Sequence, residues 1–477
     1  MIAPLEPRLA GELAGIVGAS NVLLSDADLV AYGFDGTWFD STPSCVVLPG
    51  NAAEISAIHR LAGRERLALT PRAMGSGLSG GSVPLGGSIV LNTMRLNRIL
   101  EIDETNFVAV VQPGVITGDL QRAVEARGLF YPPDPSSLKQ SALGGNVAEN
   151  AGGARCLKYG VTADYVTALE VVLPGGEILR TGGKMVKNVT GYDLRALFTG
   201  SEGTLGTITE ITLRLLPLPK FAKTATAAFD RLEDAAATVI AILNAGIVPT
   251  SIELLDRLTM QCVEECRPAG LPVESDALLL FAVDGGYENV VDAELARIAA
   301  IAHASGASAT RIAADAAESA RLWEARRAIS PALARKRPHK LGEDISVPRS
   351  ELVAMVRAVR EIAARHRLLI PLFGHAGDGN LHPNILCDRR DPEEMRRVIA
   401  AAREIFEVAV ALGGTLSGEH GIGILKKQFL ELDLGPAALA LMRRIKDAVD
   451  PLGIMNPGKI FPGPGGIEAF DLPGERA

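Results

Sequence analysis

Aromatic side chains are scarce: they form 4% of the 477 residues, with two tryptophans. Single-stranded nucleic acid is held by aromatic stacking in a positive groove. Here 48 basic residues face 56 acidic ones, a formal charge of −8, so nucleic acid is not an expected partner. No run of about 18 apolar residues occurs, so no transmembrane segment is expected. Met1 to Val30 lacks an apolar core segment and carries Glu6, Glu12, Asp26 and Asp28. It reads as neither a secretory signal nor a mitochondrial presequence, and a cytoplasmic location is expected. Five scattered cysteines argue for a reducing compartment without disulfides. No C-x-x-C pair occurs, so this chain is expected to carry no iron–sulfur cluster of its own.

What the chain has is glycine, 50 residues of it. The rest is ordinary soluble composition, so many positions must need bare backbone. The length suits two or three domains. Up to Pro219, short strands alternate with glycine turns and helices: a strand at Cys45–Leu48, an amphipathic helix over Ala52–Arg64, a strand at Leu67–Pro71. Beyond Phe221, strands are bracketed by helices, including one long helix from Ala316 to Lys336, and glycine thins out. Glycine turns return near Ser417, a last helix runs from Pro436 to Val449, and the final dozen residues read as frayed.

Gly75-Ser76-Gly77-Leu78-Ser79-Gly80 fits G-x-G-x-x-G. A nicotinamide site needs that loop to open straight into a helix. Gly81 to Gly87 cannot start one, and Ser88–Asn92 reads as another strand. The loop therefore joins two strands. Its six glycines in residues 75–87 still offer a nest of backbone N–H groups suited to a pyrophosphate. Two further glycine-dense stretches are Gly144–Gly153 and Thr199–Ile208. In the first, small residues let a flat ring approach the backbone, with Asn146 and Asn150 as hydrogen-bonding groups.

Three of the seven histidines fall in two motifs, Gly374-His375-Ala376-Gly377-Asp378-Gly379-Asn380-Leu381-His382 and Ser417-Gly418-Glu419-His420-Gly421. Asp-Gly is a strong hairpin signal. If Asp378 and Gly379 are the two turn residues, His375 lies directly opposite His382, close enough to share a divalent ion. Glu419 completes a two-histidine, one-carboxylate set common for zinc, with manganese and iron open. Side chains adjacent in sequence diverge, which leaves His420 to act as general base. His59, His303, His339 and His366 read as satisfied structural histidines, and Arg335, Lys336 and Arg337 as a solvated face.

Pro71 through Gly81, Pro132 through Gly160, Phe198 through Pro217 and Asn456 through Lys459 resemble the FAD-binding domain of the vanillyl-alcohol oxidase superfamily. With the two histidine motifs, the chain resembles the family of FAD-linked D-2-hydroxy acid dehydrogenases, which includes the D-subunit of bacterial glycolate oxidase and the D-lactate and D-2-hydroxyglutarate enzymes. The resemblance implies an α+β fold: a two-subdomain FAD-binding domain over residues 1–219 (core 40–219), an antiparallel-sheet cap over 220–415, and a segment 416–477 returning to the flavin. No histidine lies in the 71–81 loop, so non-covalent FAD is expected. Its implied contacts are Arg72, Met74, Gly75, Ser76, Gly77, Leu78, Ser79, Pro132, Asp134, Ser137, Gly144, Gly145, Asn146, Ala148, Asn150, Gly152, Gly153, Gly203, Gly206, Ile208 and Asn456.

The same resemblance gives the metal to His375, His382 and Glu419, the proton to His420, and a substrate carboxylate to Arg326 and Lys340. Ser330, one helical turn after Arg326, adds a hydroxyl. The implied reaction takes a D-2-hydroxy acid to the 2-keto acid, with hydride passing to flavin N5. Electrons would leave to flavin and iron–sulfur partner subunits and the quinone pool, or to an electron-transfer flavoprotein. Such partners would place the protein peripherally at the inner membrane; a homodimer stays open. Two other readings are a non-catalytic flavin subunit and another FAD enzyme of the superfamily, such as an ether-lipid synthase. The intact histidine and glutamate set counts against both.

Overall fold

The structure is a computed structural model and describes residues 5–463; the tail read as frayed lies outside them. The described chain divides into two units. Residues 5–152, 161–218 and 419–463 form the first, and residues 153–160 and 219–418 the second. Gly153, expected among the flavin contacts, thus belongs to the second unit.

The first unit holds two principal sheets. The smaller has strand order Val22–Leu23, Val46–Val47, Ile89–Asn92, Leu69–Arg72, and its last three strands run parallel. Parallel strands need a crossover; between Leu69–Arg72 and Ile89–Asn92 the crossover is the glycine loop itself, with one 3-10 turn at Leu85–Gly87. The helix Ala52–Glu65 covers this sheet. Asn51 caps it by accepting from Glu54 N at 2.9 Å, and Arg66 ends it in the left-handed region. Its apolar face, Ile55, Ile58, Leu61 and Ala62, packs with Leu69, Ile89 and Leu91. Each of these isoleucines and leucines contributes about 1.5–3 kcal/mol by leaving water, and Ala62 less. His59 on this helix is a satisfied core histidine: Nδ1 meets Leu173 O at 2.8 Å and Nε2 meets Thr207 Oγ1 at 3.0 Å. Burial lowers its pKa to about 4. The second sheet is antiparallel, ordered Ile99–Asp103, Val108–Val111, Thr207–Arg214, Val166–Val172, Ile178–Gly182.

The second unit is one antiparallel sheet with helices. Its order is Ala307–Ile312, Phe221–Phe229, Ala277–Gly285, Ser251–Asp256, Leu372–His375, Asn380–Cys387, His339–Gly342, with Ile345–Ser346 also on Asn380–Cys387. The long helix expected over 316–336 is two: Ala316–Arg327 and Ile329–Lys336, divided at Ala328. Pro331 is the reason, because it has no N–H for the Arg327 carbonyl and its ring crowds that group. Among the described residues, no helix is long and apolar enough to cross a membrane.

Candidate active site

In the first unit the glycine-rich stretches come together and are stitched by side chains. Asn456 Nδ2 donates to Gly81 O at 2.8 Å and to Glu202 O at 2.7 Å. Lys459 Nζ donates to Val83 O at 2.7 Å. Ser79 O accepts from Ile424 N at 2.9 Å. Gly200 N and Glu202 N donate to Val147 O and Ala148 O at 2.9 and 2.8 Å. The 73–83 loop, the 143–150 segment, the 199–206 turn and the 419–424 and 455–459 turns therefore form one assembly.

Several expected flavin contacts face inward within it. Arg72 Nη1 donates to Phe34 O at 2.6 Å, and its guanidinium sits where a Cβ on Gly75 would stand, so a side chain at Gly75 would be strained by its φ of +68° and would displace Arg72. Ser79 is buried and bonds Glu149 Oε1 at 3.2 Å and Gly81 N at 3.1 Å. Asn146 is buried, with Nδ2 on Thr117 Oγ1 at 2.6 Å. Asn150 caps a helix in the left-handed region and accepts from Ala163 N at 2.8 Å. That helix, Leu143–Glu149, contains Gly144 and Gly145, where glycine density reads as a loop. Gly144 is required by close approach, since a Cβ would stand 2.5 Å from Pro113 Cβ. Gly145 would meet nothing within 4 Å, so this turn presents bare backbone. Pro132 is buried, while Met74 is exposed and Asp134 and Ser137 are half-buried. Gly203 and Gly206 hold the turn against Pro71 and Val172, and Ile208 is buried in the strand beyond. Gly36 also belongs here: its N donates to Gly77 O at 2.8 Å.

Two buried carboxyls lie under this assembly. Glu202 accepts from Ile422 N and Gly423 N, both at 2.7 Å. A Cβ on Gly421 (φ +88°) would meet Glu149 and Glu202 together. Burial raises both pKa values, that of Glu149 well above its ordinary value with help from the Glu202 charge. Glu202 rises to about 7, the two amides pulling it back. Glu149, with one hydroxyl donor against two amides on Glu202, is the member that keeps the proton. Each group binds its proton more tightly folded than unfolded. That contribution to stability is fully present below the ordinary carboxylate pKa and is lost as pH rises through the folded value. The melting temperature is expected to fall between about pH 5 and about pH 8, and Glu149→Gln to flatten the fall. Thermal melts across that range check it; parallel curves for both proteins would contradict it.

In the second unit the hairpin differs from expectation. His375 pairs with Asn380, and Phe373 with His382. The loop is four residues, Ala376–Gly379, because the Asp378–Gly379 pair occupies only its second half. The histidines are therefore diagonal neighbours on one face, not directly opposed. Their rings remain 5.2 Å apart, edge to face. Each is backed by a buried carboxylate. His375 Nδ1 lies 2.7 Å from Glu253 Oε1, and His382 Nδ1 lies 3.6 Å from Asp344 Oδ1. Only the first of these is a hydrogen bond; held so at Nδ1 by a carboxylate, His375 presents Nε2 to a metal, whereas Asp344 is a nearby charge for His382. Asp344 also accepts from Asn380 Nδ2 at 2.6 Å and Ser417 Oγ at 2.7 Å. Ser417, bonded to Asp344 beside His382, stands two residues before Glu419 in the chain.

Arg326 donates through Nε to Glu253 Oε2 at 2.6 Å, with both side chains buried. Burial pushes the Glu253 pKa up, but Arg326 and His375 outweigh it and hold the group below its usual value. Lys340 Nζ donates to Ser330 Oγ, and burial lowers the lysine pKa to about 8. A cavity of about 270 Å³ among Asn106, Asp164, Lys184, Arg195 and Arg214 is lined by none of these groups.

The model of the FAD-linked oxidase C-terminal domain matches residues 218–460, and that of an FAD binding domain matches residues 43–182. The chain belongs to the FAD-linked oxidases. It is 47% identical over 451 residues to the glycolate oxidase subunit GlcD of Bacillus subtilis (strain 168), covering 94% of this chain and 96% of that one. It is 35% identical over 425 residues to the D-lactate dehydrogenase of Anaerostipes hadrus, covering 88% and 89%. The structure of 4-ethylphenol oxidase from Gulosibacter chungangensis superposes with a TM-score of 0.79 at 22% identity, covering 95% of this chain and 97% of that one. The fold is thus α+β of the vanillyl-alcohol oxidase type, FAD is its cofactor, and the protein is an FAD-linked oxidoreductase. Sequence reading missed Glu253, Asp344 and the Glu149–Glu202 pair. The signal for Glu253 was a lone acid inside an apolar strand, Ser251-Ile252-Glu253-Leu254-Leu255.

Proposed function

We propose that the protein oxidises a D-2-hydroxy acid of the lactate, glycolate or 2-hydroxyglutarate class to the 2-keto acid. The pair of buried imidazoles on one face of the hairpin, His375 bonded to buried Glu253 and His382 beside buried Asp344, is the observation that carries this reading. A tetrahedral ion with bonds of about 2.0–2.1 Å keeps its donors roughly 3.4 Å apart. The rings of His375 and His382, 5.2 Å apart, reach that spacing by side-chain rotation, and Glu419 is the carboxylate that the sequence supplies next to them, two residues after Ser417. His375, His382 and Glu419 therefore fit a divalent ion, with zinc favoured by the donor set.

When bound, FAD supplies the two-electron acceptor and the metal a Lewis acid for the substrate hydroxyl. The chain's own groups do the rest. Arg326 offers a fork-shaped donor to the substrate carboxylate, and Lys340 with Ser330 adds a second cation and a hydroxyl. His420 takes the hydroxyl proton, a task for an imidazole near neutral pH. No C-x-x-C cluster serves as an onward relay, so electrons leave through a partner or a diffusible acceptor; the likeness to glycolate oxidase subunits supports flavin and iron–sulfur partner subunits, with an electron-transfer flavoprotein as the other route.

Purified protein should be yellow and should bleach anaerobically with D-lactate. Exhaustive treatment with a chelator should slow the bleaching, and added zinc should restore it. Bleaching unchanged after all metal is removed would overturn the metal assignment; no bleaching with any of the three acids would overturn the substrate class.

A further inference from the structure

Glu253 stands at the centre of the second unit's sheet. Its strand, Ser251–Asp256, pairs with Ala277–Gly285 on one side and Leu372–His375 on the other. The register Leu254 to Gly374 sets Glu253 across from His375. The carboxylate is fully buried, and its two oxygens do different work: Oε1 holds His375 Nδ1 and Oε2 holds Arg326 Nε. Arg326 is 6% exposed, its Cζ lies 5.1 Å over the Phe373 ring, and its Nη2 is buried with no hydrogen-bond partner among the described residues. A buried guanidinium nitrogen without an acceptor is costly, and an anion would relieve the cost.

We propose that Glu253 is a positioning residue that couples carboxylate binding at Arg326 to metal binding at His375. This rests on the metal reading given above. The carboxylate steadies the imidazole and strengthens it as a ligand. It also fixes Arg326 through Nε, which turns the Nη edge toward an incoming carboxylate. An anion on that edge offsets the guanidinium charge, so more of the Glu253 charge acts on His375. Each ligand therefore tightens the other, by the same factor in both directions.

The test measures Zn²⁺ affinity of the FAD-loaded protein by competition with a chromogenic chelator, with and without pyruvate as the carboxylate probe. Glu253→Gln should weaken Zn²⁺ about 10–100-fold. Pyruvate should tighten Zn²⁺ in the unmodified protein and do so much less in the variant. Glu265→Gln, which removes an exposed partner of Lys336, should change neither value. Glu253→Asp keeps the charge that buried Arg326 needs but is too short to span both partners. It should show the same loss of coupling and covers the case in which the glutamine variant fails to hold flavin. If the unmodified protein binds no Zn²⁺, the metal reading falls and this inference with it. If it binds Zn²⁺ but both variants bind equally tightly, or pyruvate acts equally on all, the coupling role is wrong while the metal reading stands.

Discussion

His420→Ala is expected to leave the protein yellow while turnover falls by about 10²–10⁴-fold, the usual contribution of a positioned general base. The two halves of that outcome have separate causes. The loop bearing His420 is anchored through backbone: Glu202 receives the amides of Ile422 and Gly423, both at 2.7 Å, and Ser79 O receives Ile424 N. None of these bonds uses the imidazole, so truncation should leave the glycine assembly and its flavin in place. What is lost is a group able to take a hydroxyl proton near neutral pH. Anaerobic stopped-flow bleaching reads the chemical step, and the visible spectrum reads flavin retention. Normal bleaching would assign the base elsewhere. Loss of flavin would mean that the imidazole holds the loop, a structural role. His375→Ala should differ from both by losing metal as well as rate.

The features legible from sequence were those with local signals. Glycine turns need positive φ and close approach, so the 75–87 loop could be placed between two strands and separated from a nicotinamide site. Paired histidines around Asp-Gly announced a hairpin with both imidazoles on one face. Register was not legible, because loop length decides it and Asp-Gly suits more than one length; four loop residues make the pair diagonal. Partners distant in sequence were also hidden. Glu253 lies 122 residues from His375 and Asp344 36 residues from Asn380; nothing local says that a buried acid will back an imidazole. Glu202 was visible within its glycine turn, but its anchoring of a loop 220 residues away was not. The break at Ala328 was readable from Pro331, whose missing N–H and ring disturb the turn before it.

Arg326→Ala should show two large losses that can be separated. The first is stability. Arg326 and Glu253 form a buried ion pair, and removing one member leaves the other charged and poorly compensated, at a cost of about 3–5 kcal/mol. The second is substrate affinity, since the Nη edge that suits a carboxylate disappears; KM should rise more steeply than kcat falls. A second substitution distinguishes the two. Adding Glu253→Gln to Arg326→Ala removes the stranded charge, and replacing both partners of a buried pair is far less costly than removing one. The double variant should therefore recover most of the lost stability while its KM stays high. Urea unfolding measures the first quantity and dye-coupled turnover of D-lactate the second. Recovery of both together would mean that Arg326 only packs the sheet. Failure to recover stability would mean that the guanidinium's stacking over Phe373, not its charge, supports the fold.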